Sequence, residues 1–87
     1  MLMLHETPIA DRLRELVRPA APGLAQIQGD VRKADLREAG LTSIAAVRLM
    51  LEIEAAFGIA IPDSDLTPEN FANLDSIERL VERLQAA

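Results

Sequence analysis

Residues Glu38 to Gly58 read EAGLTSIAAVRLMLEIEAAFG, and this stretch decides the fold. Its apolar residues recur at helical spacing. Ala46, Leu49, Met50, Ile53 and Phe57 fall on one arc at about 100° per residue. Gly58 suits the left-handed position that closes a helix. Together these signals predict a helix over 43–57, with Thr42 or Ser43 as its capping hydroxyl. A second apolar set, Ile44, Val47 and Leu51, lies nearly opposite the first, with Glu52 and Glu54 between them. A helix packed on one side of a small bundle needs a single stripe. Either this helix is central with both stripes buried, or Ile44, Val47 and Leu51 form a partner-binding face.

Helical signals continue on both sides. Thr7 and Pro8 read as a capping hydroxyl followed by the residue best suited to the first helical position. Ile9, Leu13, Leu16 and Val17 follow at helical spacing, and Pro19, Pro22 and Gly23 end the run. The first helix is thus expected over 8–18. Residues 19–42 form a long connection that Leu24, Ile27, Val31 and Leu36 could anchor, with a short helical turn near 24–28 or 33–38. After the central helix, Thr67 and Pro68 predict a short third helix near 68–72. Asp75 and Glu78 resemble a capping box, and Ile77, Leu80, Val81 and Leu84 make one stripe of a last helix. No strand pattern, repeat or low-complexity segment is present. The expectation is an all-α, four-helix bundle with a long loop between helices one and two. It forms a single domain over 1–87, with 1–6 a loose N-terminal tail and 85–87 the C-terminal end.

Composition narrows the function. The chain has 87 residues, a net charge of −5, no cysteine and one histidine, His5. A chain of this size has one core and little left over for an enclosed active site. Without cysteine there is no thiolate nucleophile and no zinc finger. Lys33 is the sole lysine, the eight arginines are scattered, and the only aromatics are Phe57 and Phe71. A nucleic-acid surface needs a basic patch, often with stacking aromatics, and neither is present. The N-terminal MLMLHETP lacks a basic start and a long apolar run, so neither a signal peptide nor membrane insertion is expected, and a cytoplasmic location is.

Ser43 poses the functional question. A serine nucleophile needs an adjacent base, and the only imidazole is His5 in the expected tail. There is no G-x-S-x-G elbow. Asp63 and Asp65 lack the glycine and the bidentate glutamate of a calcium loop, which leaves them as a solvated acidic turn and no metal site. Ser43 could simply cap the helix. Alternatively, a helix N-terminus favours a phosphate through its free N–H groups and dipole. A serine that another enzyme converts to a phosphodiester needs no base of its own, only exposure, a positioned turn and a docking face.

The segment GLTSIAAVRLMLEIEAAFGIAIPDSDL resembles the acyl carrier protein family, including its peptidyl and aminoacyl carriers. That family shows Gly, then Asp-Ser-Leu, a long helix and Phe-x-x-x-Ile-Pro. Ser43 falls on the family's phosphopantetheine-bearing serine, Ile44 on the apolar residue after it, and Ile61 and Pro62 on the Ile-Pro. NFANLDSIERLVERL is similar to the end of peptidyl-type carriers, and the resemblance spans about 7–84. It implies a covalent 4′-phosphopantetheine on Ser43, attached from coenzyme A by a magnesium-dependent phosphopantetheinyl transferase. The arm's thiol then holds an acyl or aminoacyl thioester. The implied protein is a freestanding, monomeric carrier and not an enzyme. Its partners are the transferase, an acyl- or aminoacyl-loading ligase and downstream acyl-transfer enzymes, and its partner face comprises Thr42, Ile44, Val47, Arg48, Leu51 and Glu54. Two departures stand out. The usual Asp before the serine is Thr42, and acidic positions of the recognition helix are Ala45, Arg48 and Ala55, with Glu54 retained. These departures favour an aminoacyl or peptidyl carrier over a fatty-acid carrier. The other class is a helical interaction module without a prosthetic group, in which Ser43 is only a cap.

Overall fold

In the computed structural model, which describes residues 8–86, Pro8 opens the first helix, α1 (Pro8–Ala20). Its missing N–H is one that no helix start can use internally, so it costs nothing there. Ala10, Leu13 and Val17 are buried along one face. The helix runs through Pro19 and ends two residues later than expected. Pro19 forfeits a bond to the Glu15 carbonyl, but both residues are exposed, so water can take that carbonyl. The amide of Ala21 then closes on the Val17 carbonyl at 2.8 Å. The expected tail at 1–6, including His5, lies outside the described residues.

The long connection is built of short turns. Two 3₁₀ turns, Pro22–Gln26 and Val31–Lys33, precede a hydrogen-bonded turn over 36–40. One helical turn was expected, near 24–28 or 33–38; Pro22–Gln26 overlaps the first range, and Val31–Lys33 reaches the second only at Lys33. Leu24 and Leu36 are buried and Val31 half-buried, but Ile27, expected as an anchor, is 39% exposed. It follows the end of the first turn, where the chain turns extended. Gly23 is required by close approach: its amide donates to the Ala39 carbonyl at 2.7 Å, and a Cβ there would lie 2.7 Å from that same oxygen.

Helix α2 (Ser43–Phe57) has the expected bounds. Gly58, at φ 64°, closes it with its amide on the Glu54 carbonyl. The last helix, α3 (Leu74–Ala86), starts differently from expectation. Asn73, not Asp75, caps it: the Ser76 amide donates to Asn73 Oδ1 at 2.8 Å, and the Asn73 amide donates to Ser76 Oγ at 3.1 Å. That is the reciprocal pair of a capping box, with serine in the usual Glu position. Asp75 and Glu78 serve instead as partners of Arg32. Its Nη2 lies 2.6 Å from Asp75 Oδ1 and also contacts Glu78 Oε1, joining the Val31–Lys33 turn to α3. The hydrogen bond to Glu78 raises the pKa of Arg32 against the opposing effect of burial.

The expected helix at 68–72 is a turn. Thr67 Oγ1 accepts from the Asn70 amide at 3.2 Å, as a cap should. The following closures, Phe71 on Pro68 and Ala72 on Glu69, reach back only three residues. The Ala72 carbonyl goes to the amide of Leu36 at 2.9 Å, and Asn73 already caps α3. Too few residues remain between two caps to repay helix nucleation. The described residues are therefore all-helical without strands, but they hold three α-helices, not four. α1 packs against both α2 and α3. Leu13, Val17, Leu36, Leu49, Ile53, Ile77, Leu80 and Val81 form the centre of the core, each at most 2% exposed.

Candidate functional site

The turn over 36–40 delivers the chain to the head of α2. The Leu41 amide donates to the Leu36 carbonyl at 2.9 Å, and Gly40 turns at φ 105°. Leu41 is buried and anchors the approach. Thr42 is then the N-cap, in extended conformation, its Oγ1 accepting from the Ala45 amide at 3.1 Å. This settles which hydroxyl caps the helix. Ser43 is the first helical residue; it is exposed, and its hydroxyl is not used in the cap.

The two stripes of α2 separate cleanly. Leu49 and Ile53 are buried, with Ala46, Met50 and Phe57 half-buried against the core. Ile44 is 77% exposed, and Val47 and Leu51 are each 56% exposed. The second stripe is therefore a surface and not a second core face. Arg48 is exposed on the same side of the helix. Glu54 is placed differently: it is half-buried, and its Oε2 accepts from the Ile61 amide at 2.7 Å, so it secures the segment after α2. Asp65 is likewise committed, 3.1 Å from the Arg83 guanidinium. Among the described residues, no group of three or more acidic, histidine or cysteine side chains could hold a metal ion.

An open groove of about 700 Å³ begins at Ser43 and runs between α2 and the segment 66–71. Its size is in the range of small-molecule pockets, roughly 300–1,000 Å³. Ala46, Val47, Met50, Leu66 and Phe71 supply its apolar wall, and Arg37 and Thr67 reach it from the flanking turns. Sequence reading missed Arg37, Leu66 and Phe71 as site residues, because only folding brings them beside Ser43. An accessible hydroxyl at a helix start, with an apolar channel leading away from it, fits a long, flexible arm carried on a phosphodiester. The first-turn amides of α2 also favour the anion. No helix among the described residues is long and apolar enough to cross a membrane.

Known proteins agree with this geometry. The family model described as the phosphopantetheine attachment site matches residues 11–84. Aminoacyl carrier protein 1 of Bradyrhizobium diazoefficiens is 39% identical over 80 residues, covering 92% of this chain and 89% of that protein. Aminoacyl carrier protein 2 of the same organism is 36% identical over 81 residues, covering 90% of each. A chain in the crystal structure of Bradyrhizobium japonicum glycine:[carrier protein] ligase, complexed with cognate carrier protein and an analogue of glycyl adenylate, superposes with a TM-score of 0.74. It is 33% identical, and the match covers 88% of this chain and 99% of that one. A length-spanning family match and close relatives of one named type, on a fold that leaves one serine exposed at the head of its central helix, place this chain in the phosphopantetheine-bearing carrier protein family, among the aminoacyl carrier proteins.

Proposed function

We propose that Ser43 is the attachment point for 4′-phosphopantetheine, and that the chain acts as a freestanding cytoplasmic carrier of an activated amino acid. The observation that carries this reading is the division of labour between two adjacent hydroxyls. Thr42 is spent on the helix cap, which leaves Ser43 exposed beside the groove and the apolar stripe. When bound, the arm supplies the terminal thiol that a cysteine-free chain lacks, and the cargo is held on it as a thioester. The protein itself is not a catalyst. It positions the serine and presents a docking surface, and among the described residues no carboxylate, imidazole or amine side chain lines the groove beside Ser43.

Ile44, Val47 and Leu51, with Thr42 and Arg48 at their edge, are the surface that partner enzymes meet. These partners are the phosphopantetheinyl transferase, a loading ligase and downstream acyl-transfer enzymes. Glu54 contributes through the segment it holds. Two relatives are named aminoacyl carrier proteins, and similar chains were crystallised in complexes of a glycine:[carrier protein] ligase. This supports an amino acid as cargo and a ligase of that kind as the loading partner. Arg48, in place of an acid on the exposed face, also disfavours a surface built for basic fatty-acid-synthesis partners.

The test is intact mass after incubation with coenzyme A, magnesium and a broad-specificity phosphopantetheinyl transferase, beside Ser43→Ala. One added phosphopantetheine, absent from the variant, is expected. No addition to demonstrably folded protein overturns the proposal. The modified protein is then offered amino acids and fatty acids with the corresponding ligases. Loading only by a fatty-acyl synthetase reverses the choice of cargo.

A further inference from the structure

Among the described residues, Arg37 is the only charged side chain lining the groove beside Ser43. Its backbone is held firmly. The Arg37 amide donates to Asp35 Oδ1 at 2.9 Å, and the Arg37 carbonyl accepts from Gly40 at 3.1 Å. Its side chain is exposed and forms no ion pair among the described residues. Of the two carboxylates nearest in sequence, Asp35 is turned to the backbone amides of Arg37 and Glu38, and the adjacent Glu38 makes no ion pair with Arg37. Elsewhere in the chain, Arg32 and Arg83 have found carboxylates across long sequence separations. Arg37 instead stands on a fixed turn, and among the described residues it has no counter-ion and no acid lines its groove.

From this placement we infer that Arg37 is the positioning residue for the phosphodiester carried on Ser43, an inference that rests on the attachment proposed above. A phosphodiester places one negative charge at the groove mouth. A guanidinium presents the planar fork that suits two of its oxygens, which an ammonium does not. Held there, the arm is directed along the wall of Val47, Met50 and Phe71 instead of sweeping through solvent. The pair is solvent-accessible, so its effect is modest, a bias in the arm's orientation and not a lock. That suits a carrier whose arm must be surrendered to each partner in turn.

The experiment uses the phosphopantetheine-bearing full chain, labelled with nitrogen-15, with the arm's phosphorus read directly by NMR. Attachment to the wild type is expected to shift the amide resonances of Val47, Met50 and Phe71. In Arg37→Gln that shift falls roughly two- to five-fold, the range of an exposed ion pair, and the phosphorus resonance moves with it. Arg37→Lys restores part of both signals. Arg79→Gln removes the same charge from α3, outside the groove, and leaves both signals in place. About 1 M salt, where the Debye length is roughly 3 Å, makes the wild type resemble Arg37→Gln. Signals in Arg37→Gln equal to wild type overturn the inference, as does an equal loss in Arg79→Gln. If mass spectrometry finds no phosphopantetheine on Ser43, the attachment proposal falls and this inference with it. If attachment is intact but Arg37 is silent, this inference alone falls.

Discussion

Thr42 and Ser43 are adjacent hydroxyls at one helix start, and replacing each in turn separates the structural role from the functional one. Thr42→Ala removes the acceptor that satisfies the Ala45 amide at 3.1 Å. Loss of an N-cap of this kind costs about 0.5–2 kcal/mol, typically about 1. Thr42 is exposed, so no cavity term is added, and the central value applies. For a domain of roughly 60–100 residues, 1 kcal/mol lowers Tm by about 4–8 °C. Ser43→Ala removes no cap bond and places the best helix former at the first helical position. Its expected effect on stability is within about 0.5 kcal/mol. Thr42→Ser keeps the acceptor and restores the wild-type midpoint. Urea unfolding followed by circular dichroism gives the three midpoints, and intact mass after transferase treatment gives the modification. Thr42→Ala is expected to be less stable but still modified, and Ser43→Ala stable but unmodified. A Ser43→Ala protein that loses about 1 kcal/mol while Thr42→Ala loses none refutes the cap assignment, and with it the reason given for Ser43 being free.

Three further outcomes follow from the packing. Gly23→Ala forces a Cβ to within 2.7 Å of the Ala39 carbonyl oxygen. Backbone must shift, so a loss of about 1–3 kcal/mol is expected in urea unfolding; an unchanged midpoint contradicts the close approach. Arg32→Met leaves the Asp75 and Glu78 carboxylates facing each other with Glu78 only 10% exposed. A fully buried pair so broken costs about 3–5 kcal/mol. Arg32 is 32% exposed, so about 1–3 kcal/mol is expected here, and Glu78→Gln should cost less than Arg32→Met. The double substitution Val47→Ser, Leu51→Ser on the exposed stripe should leave the urea midpoint within about 0.5 kcal/mol and slow loading by a carrier ligase. A large fall in stability would mean that the stripe is packed.

The parts of this protein that were legible in sequence are those governed by neighbours within one or two helical turns. The bounds of α2, its closure at Gly58 and the core stripe of Leu49 and Ile53 all follow from periodicity and local capping. So does the position of Ser43 at a helix start. The stripe of α3 was legible for the same reason, although its first residue was not, because Asn73–Ser76 and Asp75–Glu78 are both plausible boxes in the chain. Choosing between them depends on Arg32, which claims Glu78 from 46 residues away. The segment 68–72 carries a genuine start signal at Thr67, yet its carbonyl at Ala72 is taken by Leu36 from the long connection.

By itself, then, the sequence determined an all-helical chain with a candidate serine at the head of its central helix and an apolar surplus on that helix. The tertiary structure decided where that surplus lies. Ile44, Val47 and Leu51 lie on the side of α2 away from α1 and the core, a fact that periodicity cannot supply because it orders faces relative to one another and not to neighbours. The same holds for Arg37. In the chain it is one of eight scattered arginines. Only folding makes it line the same groove as Ser43, since one stands on a turn and the other at a helix start, and no acid among the described residues lines that groove.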